Sequence, residues 1–422
     1  MTVPGTSPVG REPRMRPWHF IVSFGLVSLF ADMVYEGARS IIGPYLATLG
    51  ASALVVGIAA GAGEFIGYGL RVVSGYLVTR SRHYWAWTIT GYALTVVSVP
   101  LMGMTHLLTP VLVLYGTERL GKAVRSPAKD TLLSHASTRT GRGTAFGVHQ
   151  AMDQFGALLG PLLLAAVLSF HTGDYRLAFG VLIVPGVLVL AVLWWLRRRV
   201  PDPAAYEIAE PAAAAAATTV AGAAGFEPEP VDYRSRRRPV LPPLLWQYVA
   251  VVAVLSCGIA SFPLVAFHAQ TQGLLTEAQV PVLFALAMLT DGLSGFAMGH
   301  LYDRRGPTVL LAVPVAAAIA AIAFTHDALL IWIGVAVWGV VNGVLDSTIK
   351  AVVTQLVPSA SRAAAFGWLA LVRGVGLLVA GGLLGLAYDH SVTLVIYLIL
   401  AANVIALAGL FFVLRRLSPR QR

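Results

Sequence analysis

Charge is scarce in this chain of 422 residues, of which 12% are Asp, Glu, Lys or Arg. Soluble domains carry about 25%, so a water-soluble globular protein is excluded. Cysteine is nearly absent. Cys257 stands alone, which rules out a disulfide framework and a cysteine-built metal cluster. Nucleotide and metal-binding motifs are missing too, so nothing points to an enzyme or a resident cofactor. No segment alternates polar and apolar residues over about ten positions, as the strands of an outer-membrane barrel do. The first apolar run, from Trp18, is too long for a signal peptide and lacks a small-residue cleavage site, so it is expected to stay as the first helix.

Long apolar runs are what the chain has in abundance. Hydrophobic residues make up 57%, and the mean hydropathy is +0.74. A helical crossing needs about 20 apolar residues. Twelve segments qualify, near 18–48, 53–78, 84–104, 110–133, 144–169, 176–196, 244–268, 279–301, 308–325, 328–356, 362–387 and 391–414. The predicted fold is an all-α polytopic membrane protein.

The net charge of +10 does not signal nucleic acid, because its placement is periodic. Arginines crowd the amino terminus (Arg11, Arg14, Arg16) and then every second loop: Arg80 and Arg82, Arg139 and Arg142, Arg197 to Arg199 with Arg234 to Arg238, Arg304 and Arg305, and Arg362. The intervening loops are almost bare. This is the positive-inside pattern, and it predicts an even number of crossings with both termini in the cytoplasm.

Internal repetition sets the architecture. AFGVHQAMDQFGALLGP (145–161) recurs loosely as AFGWLALVRGVGLLVAG (365–381), each opening the fifth segment of its half. Between the halves, 197–243 is rich in Ala, Pro and Glu and has no apolar period. A disordered cytoplasmic linker is expected there, with 203–235 lacking regular structure, between bundles 1–196 and 244–422. Two six-helix repeats of this kind hold a central cavity between them.

On these features the chain resembles the major facilitator superfamily over essentially its whole length. The family's Gly-x-x-x-Asp-Arg-x-Gly signature is intact in the second half as Gly299, Asp303, Arg304 and Gly306. The first-half copy keeps Gly75 and Arg80 but has Thr79 for the acid and Arg82 for the second glycine. The fifth segment resembles the antiporter motif of the drug/proton antiporter branch in Gly147, Gly156, Gly160 and Pro161, with Leu164 and Ala165 in place of its following glycine pair. Its small residues are expected to let helices five and eight approach. The fourth segment keeps that branch's arginine as Arg119, with Lys122 for its glutamine, and ERLGKAVRSPAKD is similar to a large bacterial set of related permeases. The resemblance implies alternating access and gating roles for Gly75, Arg80, Arg125, Gly299, Asp303, Arg304 and Gly306.

Ten ionisable side chains interrupt the apolar segments of the first half: Asp32, Glu36, Arg39, Glu64, Arg71, Glu118, Arg119, Lys122, Arg125 and Asp153. Each would cost about 3 kcal/mol at the bilayer centre, so they must pair or face water. Asp32 and Arg39, Glu64 and Arg71, and Glu118 and Arg125 are acids followed seven residues later by arginine. Seven residues is close to two turns, so each pair shares a helix face. At about 1.5 Å per residue, Asp32, Glu36, Glu64, Lys122 and Asp153 fall near mid-depth, with Arg71, Arg125 and Lys129 nearer the cytoplasm, where basic side chains snorkel. A carboxyl group in a partly dry cavity is pushed toward its neutral form, and a nearby arginine reverses this.

Asp32, Glu36, Glu64 and Asp153 are the candidate proton carriers, Asp153 being alternatively a partner of Lys122. Tyr35, Arg39, Arg119, Lys122, Asp291 and Arg373 are the candidate substrate-cavity residues. Asp291 and Arg373 are expected to pair across segments eight and eleven, Asp346 and Lys350 to pair within one helix, and Phe65, Tyr68, Phe262 and Trp368 to join Tyr35 as cavity walls. His268 reads as an interfacial histidine.

The leading reading is a secondary transporter exporting small organic molecules against protons, acting as a monomer, its partners being substrate, protons and the bilayer. The alternative is uptake of an anionic metabolite held by Arg39, Arg119 or Lys122. A metal exporter using Asp32, Glu36, Cys257 and His268, and a receptor or scaffold, are remoter readings.

Overall fold

The computed structural model describes residues 15–137, 140, 142–206, 241–358 and 361–417. Helices fill all twelve apolar segments. The first half contains α1 (Pro17–Thr48), α2 (Ala53–Ser81), α3 (Tyr84–Met104), α4 (Leu108–Ser137) and α5 (Arg142–Phe170), with α6 (Tyr175–Val181) and α7 (Ile183–Arg199) together making the sixth segment. In the second half the seventh segment is α8 (Pro243–Cys257) plus α9 (Phe262–Thr271), followed by α10 (Gln279–Arg305), α11 (Ala312–Ala320), α12 (Ala328–Leu356), α13 (Arg362–His390) and α14 (Val392–Leu417).

Among the described residues, ten stretches are long and apolar enough to cross a membrane. α4 is not among them, because Glu118, Arg119, Lys122 and Arg125 interrupt it. Gln279–Phe324 counts as one stretch of 46 residues, which at 1.5 Å per residue would reach about 69 Å, twice a bilayer core. Gly306 ends α10 and divides it.

Close approach of backbones shapes both halves alike. A Cβ at Gly156 or Gly160 would strike the backbone of α1 at Leu29 and Met33, and a Cβ at Gly376 would press on Ala253 and Ser256 of α8. The fifth helix of each half therefore lies against the first helix of the same half. Of the antiporter-motif glycines, Gly156 and Gly160 serve the contact of α5 with α1, while helices five and eight approach as expected. α5 does meet α10, through Gln154 beside Gly292.

Between the halves, α2 and α13 interlock at Gly57 with Gly381, Gly61 with Leu377 and Leu378, and Gly385 with Ala53. Gly43 of α1 abuts Pro263 of α9. At the same end the Asp389 carboxylate accepts from the Ala53 and Leu54 N–H groups at 3.0 and 3.1 Å, capping α2 from the opposite half. Glu277 accepts from the Gly173 N–H there as well. Gly147 and Gly299, toward the arginine-rich end, have open space around them. The halves are thus sealed together at the end away from the arginine-rich loops.

The folded stretch before the linker runs further than expected. Pro203–Tyr206 form a 3-10 turn, with the Tyr206 hydroxyl donating to the Met15 carbonyl at 3.0 Å. The rest of the expected disordered segment, from 207, lies outside the described residues.

The two copies of the loop signature keep the same spacing and differ in backbone at their last position. Arg82 sits at φ 57°, ψ 13°, a left-handed cap that a side chain tolerates at a cost of about 1–2 kcal/mol. Gly306 sits at φ 67°, ψ −158°, a region essentially restricted to glycine. This explains why the first-half copy survives with arginine. Arg82→Gly is expected to leave the fold stable or raise stability by up to about 1 kcal/mol, and Gly306→Ala to lower it by about 1–3 kcal/mol. Melting of the purified protein in detergent checks both.

Candidate functional site

A cavity of about 230 Å³ lies between the halves. Its wall carries six acids (Asp32, Glu36, Glu64, Asp153, Asp291, Asp346) and three bases (Arg39, Lys122, Arg373), with Tyr35, Tyr68, Gln150, Gln154, Trp338 and Asn342 among the remaining lining. Charges that the sequence places on separate stripes converge here because α1, α2, α4 and α5 present those faces to one space.

The ion pairs run across helices. Arg39 on α1 contacts Glu64 on α2 at 2.9 Å and its own neighbour Glu36 at 3.7 Å. Glu64 also meets Arg119 on α4 at 3.8 Å, and Arg119 Nε lies 2.6 Å from Glu118. Glu118 and Arg119 are almost wholly buried, so this chain of charges ties three helices together where neither ion meets water. Arg119 thus reaches an acid on a neighbouring helix, Glu64. Arg119 itself is buried and does not border the cavity.

Arg125 takes another course. Its guanidinium donates to Thr95 Oγ1 at 3.0 Å and lies over the Tyr92 and Tyr35 rings, 4.4 and 5.3 Å from their centroids. It is buried rather than snorkelling. Arg71 stacks on Tyr68 at 5.5 Å, with Arg373 on the same ring at 5.1 Å.

Three expected pairings differ. Arg373 bonds Asp346 of α12 at 2.7 Å rather than Asp291, so Asp346 does not serve an isolated pair with Lys350. Asp153 faces Lys129 at 3.9 Å and His149 at 3.7 Å rather than Lys122. Lys129 Nζ, which as an ammonium can only donate, lies 3.1 Å from His149 Nε2, so that nitrogen accepts. Ser28 Oγ is 3.2 Å from the same atom. His268 is fully buried, with Nδ1 at 2.9 Å from the Tyr388 hydroxyl and Nε2 at 3.1 Å from the Thr325 carbonyl, near the end of α9. Cys257 bonds the Gly376 carbonyl, so the four proposed metal ligands do not meet. No group of three metal-ligating side chains occurs among the described residues.

Of the expected aromatic walls, Tyr35 and Tyr68 line the cavity. Phe262 stacks on Phe284, with ring centroids 4.4 Å apart, Phe65 packs beside Gly374, and Trp368 stands half-exposed beside Trp246. Gly75, Arg80, Asp303, Arg304 and Gly306 sit at the ends of α2 and α10, with the charged members exposed.

One feature of the wall was missed in the sequence. The seventh segment is broken between Cys257 and Phe262, and Ile259, Ala260 and Ser261 line the cavity. The break is held by Asn403, whose amide donates to Gly258 O at 2.8 Å, and by Trp338 Nε1, which donates to Ala260 O at 2.8 Å. Backbone freed at membrane depth is tolerated where it borders a cavity. Gly258 followed by Ser261 and Pro263 was the available signal. His149, Gln150, Gln154 and Asn342 had only their polarity within apolar runs to mark them.

A helical membrane protein with a polar cavity between two interlocked halves defines a transporter rather than an enzyme. The sequence matches the profile described as Major Facilitator Superfamily over residues 24–381 and 275–422, and the chain belongs to that family of secondary transporters. An uncharacterized protein of Mycobacterium tuberculosis is 44% identical over 411 residues, spanning 97% of this chain and 96% of that one. An uncharacterized MFS-type transporter of Methanocaldococcus jannaschii is 26% identical over 179 residues, 42% of this chain and 44% of its own. Among solved structures, the nucleoside transporter NupG aligns with a TM-score of 0.72 at 12% identity, covering 94% of this chain and 99% of that one. A POT family transporter in complex with 5-aminolevulinic acid also scores 0.72, at 13% identity and 98% of both chains. These two likenesses concern the fold.

The Arg119 cluster yields a stability prediction. Arg119→Met leaves Glu118 buried without its partner and is expected to cost about 3 kcal/mol, whereas Arg119→Met combined with Glu118→Gln recovers most of that loss. Chemical or thermal denaturation of the single and double variants measures the difference.

Proposed function

We propose that the protein exports small organic molecules in exchange for protons, from a bacterial inner membrane with both termini in the cytoplasm, as a monomer. The observation that carries this reading is Asp32, whose carboxylate faces the cavity with neither an ion pair nor a hydrogen bond among the described residues. A carboxyl group so placed gains or loses a proton without breaking another contact. Glu36, one turn on, leans on Arg39, Glu64 is held by two arginines, and Asp153 by Lys129. Desolvation favours the neutral acid and water access favours the carboxylate, so opening the cavity first to one side and then to the other loads and releases a proton at Asp32.

The seal at α2–α13 and α1–α9 closes the outer end in this reading, with Gly75, Arg80, Asp303, Arg304 and Gly306 placed to close the opposite end when the seal opens. Of the three bases that anion uptake would use, Arg39 and Arg119 are already neutralised by Glu36, Glu64 and Glu118, which leaves Lys122 alone without an ion pair among the described residues. The sixfold acidic wall also disfavours a lone anion.

Reconstituted protein, with a ligand first found by thermal-shift screening, tests the coupling. Asp32→Asn is expected to abolish accumulation driven by an imposed pH gradient while ligand binding and substrate-for-substrate exchange persist. Glu36→Gln tests its neighbour in the same assay. Undiminished accumulation by Asp32→Asn and Glu36→Gln would remove proton transfer from this pair.

A further inference from the structure

The Lys122 ammonium, on α4 of the first half, lies 4.3 Å from the centroid of the Tyr35 ring and has no carboxylate within ion-pair distance among the described residues. Asp291, on α10 of the second half, borders the same cavity, and its carboxylate likewise has no ion pair or hydrogen bond there. Arg39 and Arg373, the other bases of the wall, are neutralised by Glu64 and Asp346. With Asp32 set aside for the proton, the unmatched charges left on the two halves are Lys122 and Asp291, which are of opposite sign.

We propose that the transported molecule is a small zwitterion, its anionic group held by Lys122 and its cationic group by Asp291. This rests on the transport reading above and gives the substrate its charge pattern. A lone organic cation would satisfy Asp291 and leave Lys122 uncompensated in a closing cavity. A lone anion would do the reverse, against an excess of acids. Leaving one ion of a buried pair uncompensated is strongly unfavourable, so a molecule matching both is favoured over either half of itself. The Tyr35 face fixes the ammonium by cation–π attraction, and Gln154 and Asn342 add uncharged donors and acceptors to the wall. Because the two ionic groups sit on different halves, such a molecule also ties the halves across the cavity. Asp32 remains free for the proton.

The test is thermal stabilisation of the purified protein by leucine, dialanine and ω-amino acids of two to six carbons, the last series varying the separation of the charges. Each is compared with its carboxamide, which keeps only the cation, and its N-acetyl form, which keeps only the anion. At least one free zwitterion is expected to bind about tenfold more tightly than both of its derivatives. Lys122→Gln should erase the advantage over the carboxamide, Asp291→Asn the advantage over the N-acetyl form, and Lys122→Arg should retain it. Preference by the wild-type protein for a carboxamide or N-acetyl form overturns the proposal, as does binding of none of the zwitterions. The wild-type comparison decides even if a variant does not fold. No gradient is applied, so failure here leaves proton exchange through Asp32 standing. Loss of coupling with the zwitterion preference intact would instead overturn the exchange reading alone.

Discussion

A charge taken out of water must find a partner, and that constraint organises this molecule. The idealised cost of moving an ion into a low-dielectric interior is on the order of 20 kcal/mol, and several kcal/mol remain after relaxation. Arg39, Glu64, Arg119 and Glu118 meet it by forming one chain across α1, α2 and α4. Arg125 meets it with a threonine hydroxyl and two aromatic faces. Asp153, Lys129 and His149 form a second cluster beside α1. With those groups fixed, the cavity wall is rigid where it is charged, and Asp32, Lys122 and Asp291 stand apart from it. Function is read from these exceptions.

Small residues do the complementary work. The glycines of α5 and α13 let each lie flush against the first helix of its own half, while those of α2 and α13 interlock the halves at one end. Backbone contact of this kind replaces the hydrophobic drive that lipid removes. It also concentrates the inter-half seal in a few surfaces, aided by the carboxylates of Asp389 and Glu277. Alternating access needs such a seal to be tight and yet reversible.

Much of the fold was legible in the sequence. Apolar length located all twelve helical segments, and Gly75 to Arg82 keeps the seven-residue spacing of Gly299 to Gly306. The site was legible as a set of residues but less so as a set of contacts. Spacing along one helix fixes which side chains share a face, but not the rotation and tilt that choose a partner on the next helix. That is why Arg373 was matched to Asp291 instead of Asp346, and Asp153 to Lys122 instead of Lys129. The break at Gly258–Ser261 was hidden for another reason: its apolar run is continuous in composition, and the groups that stabilise it, Asn403 and Trp338, come from distant helices.

The most direct measurement is the melting temperature of neutralised variants compared in one detergent without ligand. Arg39→Met and Glu64→Gln each orphan an ion-pair partner, whereas Asp32→Asn, Lys122→Met and Asp291→Asn each remove a charge with no ion pair among the described residues. The first two are expected to melt well below the parent and the other three at or above it. Equal destabilisation of both groups would contradict the division of these charges into a paired framework and a free site.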